Sequence, residues 1–174
     1  MEDMTLFQPS VEIRRGEKVT YEDVHHICSR LRATDEHEFS SVGYLPEYGW
    51  ILVNNCAVTG GEAFVAFLRG EPVFAFGTNG SFPHVRRLWG FGTDKATRVM
   101  PEVTRFVKEE WLPRMMHSGV RRIEVRLPRS CTQSIEWLKS FGMYIESDDV
   151  RHLSLTGEPF VQLAYTRDQF YRVS

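Results

Sequence analysis

Three segments of this 174-residue chain carry side chains able to do chemistry. In Arg121 to Leu127, strict alternation puts Arg122, Glu124 and Arg126 on one face of a strand and Ile123, Val125 and Leu127 on the other. Glu124 is the candidate general base, because burial would raise a carboxylate toward the pKa at which it takes a proton near neutrality. The alternative role for Glu124 is an ion pair with Arg122 or Arg126. Cys131 falls at the start of a helix, where the N-terminus stabilises thiolate and lowers a thiol pKa, so a nucleophilic or acyl-accepting role is open. A buried structural cysteine is the alternative, since no His or Asp partner is fixed by the sequence. The third segment is Gly92, Thr93, Asp94, Lys95, Ala96, Thr97 and Arg98, between a strand and a helix. Backbone N–H groups at a helix start attract anions. Lys95 and Arg98 add positive charge there and Asp94 opposes it; a strand terminator with a helix cap is the alternative.

Other chemistry-bearing residues are less well arranged. His25, His26 and Cys28 carry metal-ligating atoms, but neighbouring helix residues point about 100° apart, so no metal site is expected. His84, His117 and His152 are isolated.

The elements that must position these groups follow from pattern. Val11 to Ile13 alternates as a strand ending at Gly16. Thr20 with Asp23 forms a variant capping box for a helix whose buried stripe is Val24, Ile27, Cys28 and Leu31. Asp35 to Gly49 reads as loop with one short helix, and Trp50 to Val58 as a second helix packed on the sheet. Glu62 to Arg69, a turn at Gly70-Glu71-Pro72, and Val73 to Thr78 form a hairpin. Asn79 to Pro83 reads as a turn and Val85 to Phe91 as a strand. A helix then runs from Thr97 or Pro101 to His117, restarted at Pro113 and stopped by Gly119. After the Arg121–Leu127 strand, Ser130 to Gln133 is a capping box for a helix carrying Ile135, Leu138 and Phe141, stopped at Gly142. Val150 to Leu155 and Phe160 to Tyr165 close the chain as strands, and the last could pair across a subunit edge.

The fold class is therefore α/β of the α+β kind, one domain over residues 1–174, with 1–10 a flexible N-terminal segment. A net charge of −2, with Asp94, Glu102, Glu109, Glu110 and Glu124 interleaved among the arginines, argues against a nucleic-acid partner. Three cysteines with no C-x-x-C pair point to reduced thiols and a cytoplasmic setting. Met1 to Val11 is polar and acidic with no apolar core of a signal peptide, and no apolar run is long enough to span a bilayer.

The order β-α-(α)-β-β-β-α-β-α-β-β, together with Ser134 to Met143, resembles the GNAT acetyltransferase superfamily. That segment is similar to the superfamily's A-x-x-x-Y-x-x-x-G-F helix. A narrower resemblance is to GNAT-like proteins of short-tailed phages, in the branch related to an internal virion protein. It rests on Leu31-Arg32-Ala33-Thr34-Asp35-Glu36-His37-Glu38 (L-R-x-x-D-x-x-E), Trp89 to Thr93 (W-x-x-G-T) and Ser134 to Met143 (S-I-x-W-L-x-x-x-G-F). The resemblance covers Leu31 to Tyr165. It implies a central mixed, largely antiparallel sheet of six to seven strands flanked by helices, and acetyl-CoA as cofactor.

The resemblance also marks departures. The superfamily's pyrophosphate loop Q/R-x-x-G-x-G/A is absent, and Gly92 to Arg98 stands in its place. Leu138 stands where a Tyr donates a proton to the leaving thiolate, and Cys131 where an Asn is usual. Two functions remain: an acetyl-CoA-dependent N-acyltransferase with a non-standard site, or an inactive GNAT-fold scaffold. The first acts on an amine-bearing small molecule or protein in the cytoplasm. The second binds as a virion component or as an inhibitor of a host protein. The sequence leaves oligomeric state open.

Overall fold

The computed structural model describes residues 10–173. Its centre is the hairpin of β2 (Glu62–Leu68) and β3 (Glu71–Phe82). Both strands read as continuous apolar runs because helices cover both faces of the sheet. Arg69 and Gly70 both take positive φ (51° and 81°), the backbone that a two-residue hairpin loop demands. The turn is thus Arg69-Gly70, one residue earlier than the pattern predicted, and β3 continues through Asn79–Phe82, which read as a turn.

Seven strands make one sheet in the order β1-β2-β3-β4-β5-β7-β6, antiparallel except where β4 meets β5. The others are β1 (Val11–Arg15), β4 (Val85–Gly92), β5 (Arg122–Pro128), β6 (Tyr144–Val150) and β7 (Phe160–Thr166). The mixed, largely antiparallel sheet of the expected fold class is present. The first two N-terminal elements also match, with the Thr20–Asp23 capping box formed in full. The expected flexible segment falls, for residues 1–9, outside the described residues; Ser10 accepts a hydrogen bond from Arg69 N at 3.0 Å.

Two cores flank the sheet. On one face, α1 (Tyr21–Cys28), α2 (Ala33–Ser41) and α3 (Tyr48–Asn55) pack on Val65, Phe67, Ala75 and Phe91. On the other, α4 (Met100–Phe106), α5 (Leu112–His117) and α6 (Thr132–Lys139) pack on Phe64, Phe74 and Phe76. Between α4 and α5 the helix widens into a π turn over Val107–Trp111, and Pro113 sits in the first turn after it, where its missing N–H leaves no bond unmade. The expected restart at Pro113 is therefore real. A final helix, α7 (Arg167–Val173), was not anticipated.

Three expectations need correction. Residues Asp35 to Gly49 read as loop with one short helix; that helix is α2, which begins two residues before that stretch at Ala33 and lacks a side-chain N-cap and a clear apolar stripe to mark its bounds. The penultimate strand is Tyr144–Val150 rather than Val150–Leu155; Leu155 instead sits in the following loop, donating its N–H to Ser41 O at 2.7 Å. Because β6 takes the sheet edge, β7 lies between β5 and β6 and has no free edge to offer another subunit. In addition, Ser130 does not cap α6: Cys131 holds the N-cap position without a side-chain hydrogen bond. Gly142 does end that helix, with φ of 92°.

The feature that positions the site is the parallel pair. Only Val85–Arg87 of β4 are in register with Arg122–Glu124 of β5. Beyond them the two strands part, leaving a gap in the middle of the sheet between Leu88–Gly92 and Val125–Pro128.

Candidate functional site

The free edge of β4 is finished by the chain around the start of α2 instead of by β5. Leu31 bridges Thr93, Arg32 N donates to Gly92 O at 2.9 Å, and Gly92 N donates to Asp35 Oδ2 at 2.7 Å. Backbone groups along a strand alternate in direction. Since both polar groups of Gly92 turn away from β3, Gly90, two residues earlier, turns its N–H the same way, into the gap.

Asp35 is 3% exposed and takes Arg32 Nε at 2.6 Å. Burial pushes its pKa up, and Arg32 and the Gly92 N–H oppose that rise. Glu38, one turn further along α2, has no hydrogen bond to its carboxyl from any other described residue. Burial pushes this carboxyl up to about 8, the Asp35 carboxylate adds to the rise, and Arg32 opposes it. A carboxyl in that range is about one-tenth ionised at pH 7 and half-ionised at about pH 8, which suits a general base.

Two cavities meet at this carboxyl. One, about 60 Å³, lies under the gap on the α4–α6 side, among Phe74, Val125, Trp137, Leu138 and Phe141. The other, about 510 Å³, opens on the α2–α3 side among Tyr44, Tyr48, Asn79, Arg87, Arg126 and Phe160. Glu38, Leu88, Trp89 and Gly90 line both, so the gap is the passage between them. Trp137 closes its far side: its indole Nε1 donates to Thr104 Oγ1 at 2.9 Å, joining α6 to α4.

The residues singled out from sequence are placed differently. Glu124 is engaged by Arg122 Nε at 2.7 Å and by Arg87 Nη2 at 4.0 Å, and does not line either cavity. Arg122 also reaches Glu146 at 2.7 Å and holds it at a pKa of about 2. The ion-pair alternative for Glu124 thus describes its surroundings.

Cys131 is 4% exposed. Its thiol is pushed up to about 12, the reverse of the lowering expected at a helix start, because burial and the carboxylates of Glu38, Glu158 and Asp35 all disfavour thiolate. Cys28 and Cys56 are likewise raised, to about 11 and about 12, chiefly by burial. At pH 8 a thiol of pKa 12 is ionised on the order of one part in 10⁴. The native protein is therefore expected to react with an aromatic disulfide reagent only slowly, all three thiols reacting at once in denaturant. Rapid native labelling of Cys131 would contradict this.

In Gly92 to Arg98, the amides are largely committed. Gly92 N bonds Asp35, Thr93 N bonds Val73 O, Lys95 N bonds Thr93 Oγ1 and Ala96 N bonds Thr93 O. Thr93 is the N-cap of a 3₁₀ turn over Asp94–Arg98 that packs so closely that a Cβ on Gly92 would lie 2.8 Å from Ala96 Cβ. Lys95 Nζ is 2.6 Å from Glu71 Oε2, whereas exposed Arg98 has no ion-pair partner among the described residues. The strand-terminator and cap alternative accounts for Thr93. His26 Nε2 contacts Glu71 at 3.2 Å, and among the described residues no group of three or more His, Cys, Asp or Glu is arranged to hold a metal ion. No described helix is long and apolar enough to cross a membrane.

Arg32, Asp35 and Glu38 are the fixed positions of the L-R-x-x-D-x-x-E segment, to which the sequence assigns no role. Their spacing of three was the available signal, since it puts all three on one side of a helix.

Tested against acetyl-CoA, the site fits the acyl end. A strand N–H faces the gap, a carboxyl near pKa 8 stands beside it, and the cavity of about 60 Å³ admits a group of acetyl size. In the loop Gly92 to Arg98, where the resemblance expects the diphosphate, four amides already have partners and Lys95 is paired with Glu71, so exposed Arg98 is the cation left for that end.

No family model matches the sequence, and no curated protein matches it. Solved structures do. A GNAT-family acetyltransferase from Streptococcus pneumoniae superposes with a TM-score of 0.65 at 16% identity, over 90% of this chain and 99% of that one. The aminoglycoside acetyltransferase AAC(6')-Ib, in complex with ribostamycin and coenzyme A, gives 0.65 at 18% identity over 94% and 97%. A ribosomal-protein-alanine N-acetyltransferase from Brucella melitensis gives 0.65 at 14% over 89% and 99%. At these identities the likeness establishes architecture: the chain has the fold of the GNAT N-acetyltransferases.

Proposed function

We propose that the protein is an acyl-CoA-dependent N-acyltransferase in which Glu38 is the general base. The observation that carries this reading is the position of Glu38, a carboxyl of pKa about 8 at the junction of the two cavities in a GNAT fold. The cofactor supplies an acyl group activated as a thioester. Gly90 N–H, facing the gap, polarises the carbonyl, as an amide preorganised where negative charge develops does. Glu38 accepts the proton of the amine, which enters from the cavity of about 510 Å³. Leu138 and Phe141 on the opposite wall have no proton to give, so the Ser134 hydroxyl, which lines the same cavity, or water would protonate the thiolate. Glu124 and Cys131, the earlier candidates, have no part in this scheme; Arg98, with Lys95 only if it leaves Glu71, would supply positive charge for the diphosphate.

One observation favours the second reading, a GNAT-fold scaffold that acts by binding: Trp137–Thr104 closes the α4–α6 side, and the loop amides have internal partners. The phage resemblance of the three motifs gives that reading its candidate partners, a virion or host protein.

Thermal unfolding with acetyl-CoA, followed by release of free CoA with simple amines, separates the two. The enzyme reading expects a stabilisation of about 2.7 kcal/mol at 100 times Kd and amine-dependent CoA release. No shift at millimolar acetyl-CoA and no release would overturn it.

A further inference from the structure

The cavity of about 510 Å³ has a chemical asymmetry that identifies what it takes. We propose that the acceptor is an arylalkylamine, an alkyl amine borne on an aromatic ring, that also carries an anionic group. This inference rests on the N-acyltransferase reading only for the fate of the amine; the selectivity of the cavity stands on its own walls.

The inner end is Glu38, beside the gap. A carboxyl there attracts an ammonium when ionised and accepts its proton. The side wall is aromatic. Tyr44 and Tyr48 stack at 3.7 Å between ring centroids, 17° from parallel. Trp89 is fixed opposite by stacking on Phe91 and by donating its indole N–H to Asn79 Oδ1 at 3.2 Å. The Tyr48 hydroxyl, hydrogen-bonded to Tyr44 and partly buried, is pushed up to about 12, so Tyr48 stays uncharged. Rigid rings with the faces of other rings exposed between them accept a flat aromatic body.

The rim contributed by β4 and β5 is cationic. Arg87 and Glu124 are the last residues of β4 and β5 in register, so Arg126, two residues on, stands across the gap from Trp89. Its Nε donates to Gln162 Oε1 at 2.7 Å, a neutral partner that fixes the side chain while leaving its charge uncompensated. No carboxylate lies within ion-pair distance of Arg126 among the described residues. Arg87 shares Glu124, at 4.0 Å, with Arg122, so it too retains much of its charge. Two guanidinium groups on either side of one opening, both lining the same cavity, match a carboxylate or phosphate. A polycationic amine would meet repulsion at the same place.

The probes are 4-(aminomethyl)benzoate, its neutral isostere 4-(aminomethyl)benzamide, and spermidine. Their binding to the full chain is measured by calorimetry without acyl-CoA, so that the result does not depend on turnover. The benzoate is expected to bind at least about ten times more tightly than the benzamide, the scale of one charge-assisted hydrogen bond. In Arg126→Gln that ratio should fall toward one with the affinity for benzamide unchanged, and Arg87→Gln should lower it in part. Both arginines are solvent-exposed, and circular dichroism verifies that each variant folds. Equal affinities for the two ring probes, no binding of either, tighter binding of spermidine, or an unchanged ratio in Arg126→Gln would each overturn the proposal. Selective binding of the benzoate with no CoA released from acetyl-CoA would retain the selectivity and instead remove the enzymatic reading.

Discussion

Glu38→Gln is expected to lower kcat/KM for acyl transfer by about two to four orders of magnitude while making the folded protein more stable. Both effects have one origin. The carboxyl sits at about 8 because burial and the Asp35 carboxylate disfavour its charged form. In the parent, kcat/KM should rise with pH and level off above about 8 as Glu38 loses its proton, and the variant should lose that rise, keeping only the titration of the amine itself. For stability the sign is fixed by proton counting. The unfolded chain gives up this proton near the ordinary value of 4.5 and the folded chain only near 8, so the folded state binds more protons in between and stability falls as pH rises through that window. Gln has no charge to bury. Its advantage over Glu in thermal unfolding should therefore be small at pH 5 and grow toward pH 8. Function held at the expense of stability is a common mark of a working site. Turnover by Glu38→Gln equal to that of the parent would sink the base assignment.

What could be read from the sequence was what periodicity and caps encode. The apolar runs of β2 and β3, the alternation of β5 and the stop at Gly142 were all legible, because a strand or helix end there depends on its own residues. The site was legible only in part, because its geometry comes from contacts distant in sequence. The carboxylate of Asp35 meets the amide of Gly92 across 57 positions. Glu38 acquires its environment from α2, β4 and the gap together, and the bounds of α2 were not legible because no side chain caps it. Glu124 looked like a base because alternation made it the polar residue on the correct strand. Alternation does not say that Arg122 and Arg87 converge on it. Cys131 failed for a related reason: position at a helix start favours thiolate, but three carboxylates and burial outweigh that end effect. β6 went unread because its exposed, charged run Glu146-Ser147-Asp148-Asp149 has none of the apolar alternation of an interior strand.

Asp35→Ala is expected to destabilise the protein by about 3–5 kcal/mol, the cost of leaving a partly buried charge without its partner. The side chain of Asp35 is 4% exposed and that of Arg32 21%, and the carboxylate is also the acceptor for Gly92 N–H. Its loss strands a guanidinium and an amide together; because Arg32 keeps some contact with water, the lower half of that range is the better expectation, read from urea unfolding. Asp35→Asn keeps an oxygen for the Gly92 N–H and should cost less, which makes it the variant for testing function. In it the like charge that helps hold Glu38 at about 8 is gone while Arg32, which lowers the Glu38 pKa, remains. The midpoint of the kcat/KM profile should then move to lower pH. A residue that merely braced α2 against β4 would lower stability and leave the midpoint where it was. Movement of the midpoint in Asp35→Asn, and its absence in a destabilising core variant such as Ile135→Val, would assign Asp35 to tuning the base. A fixed midpoint would leave Asp35 as a structural clamp and would remove the electrostatic link between the two carboxyls.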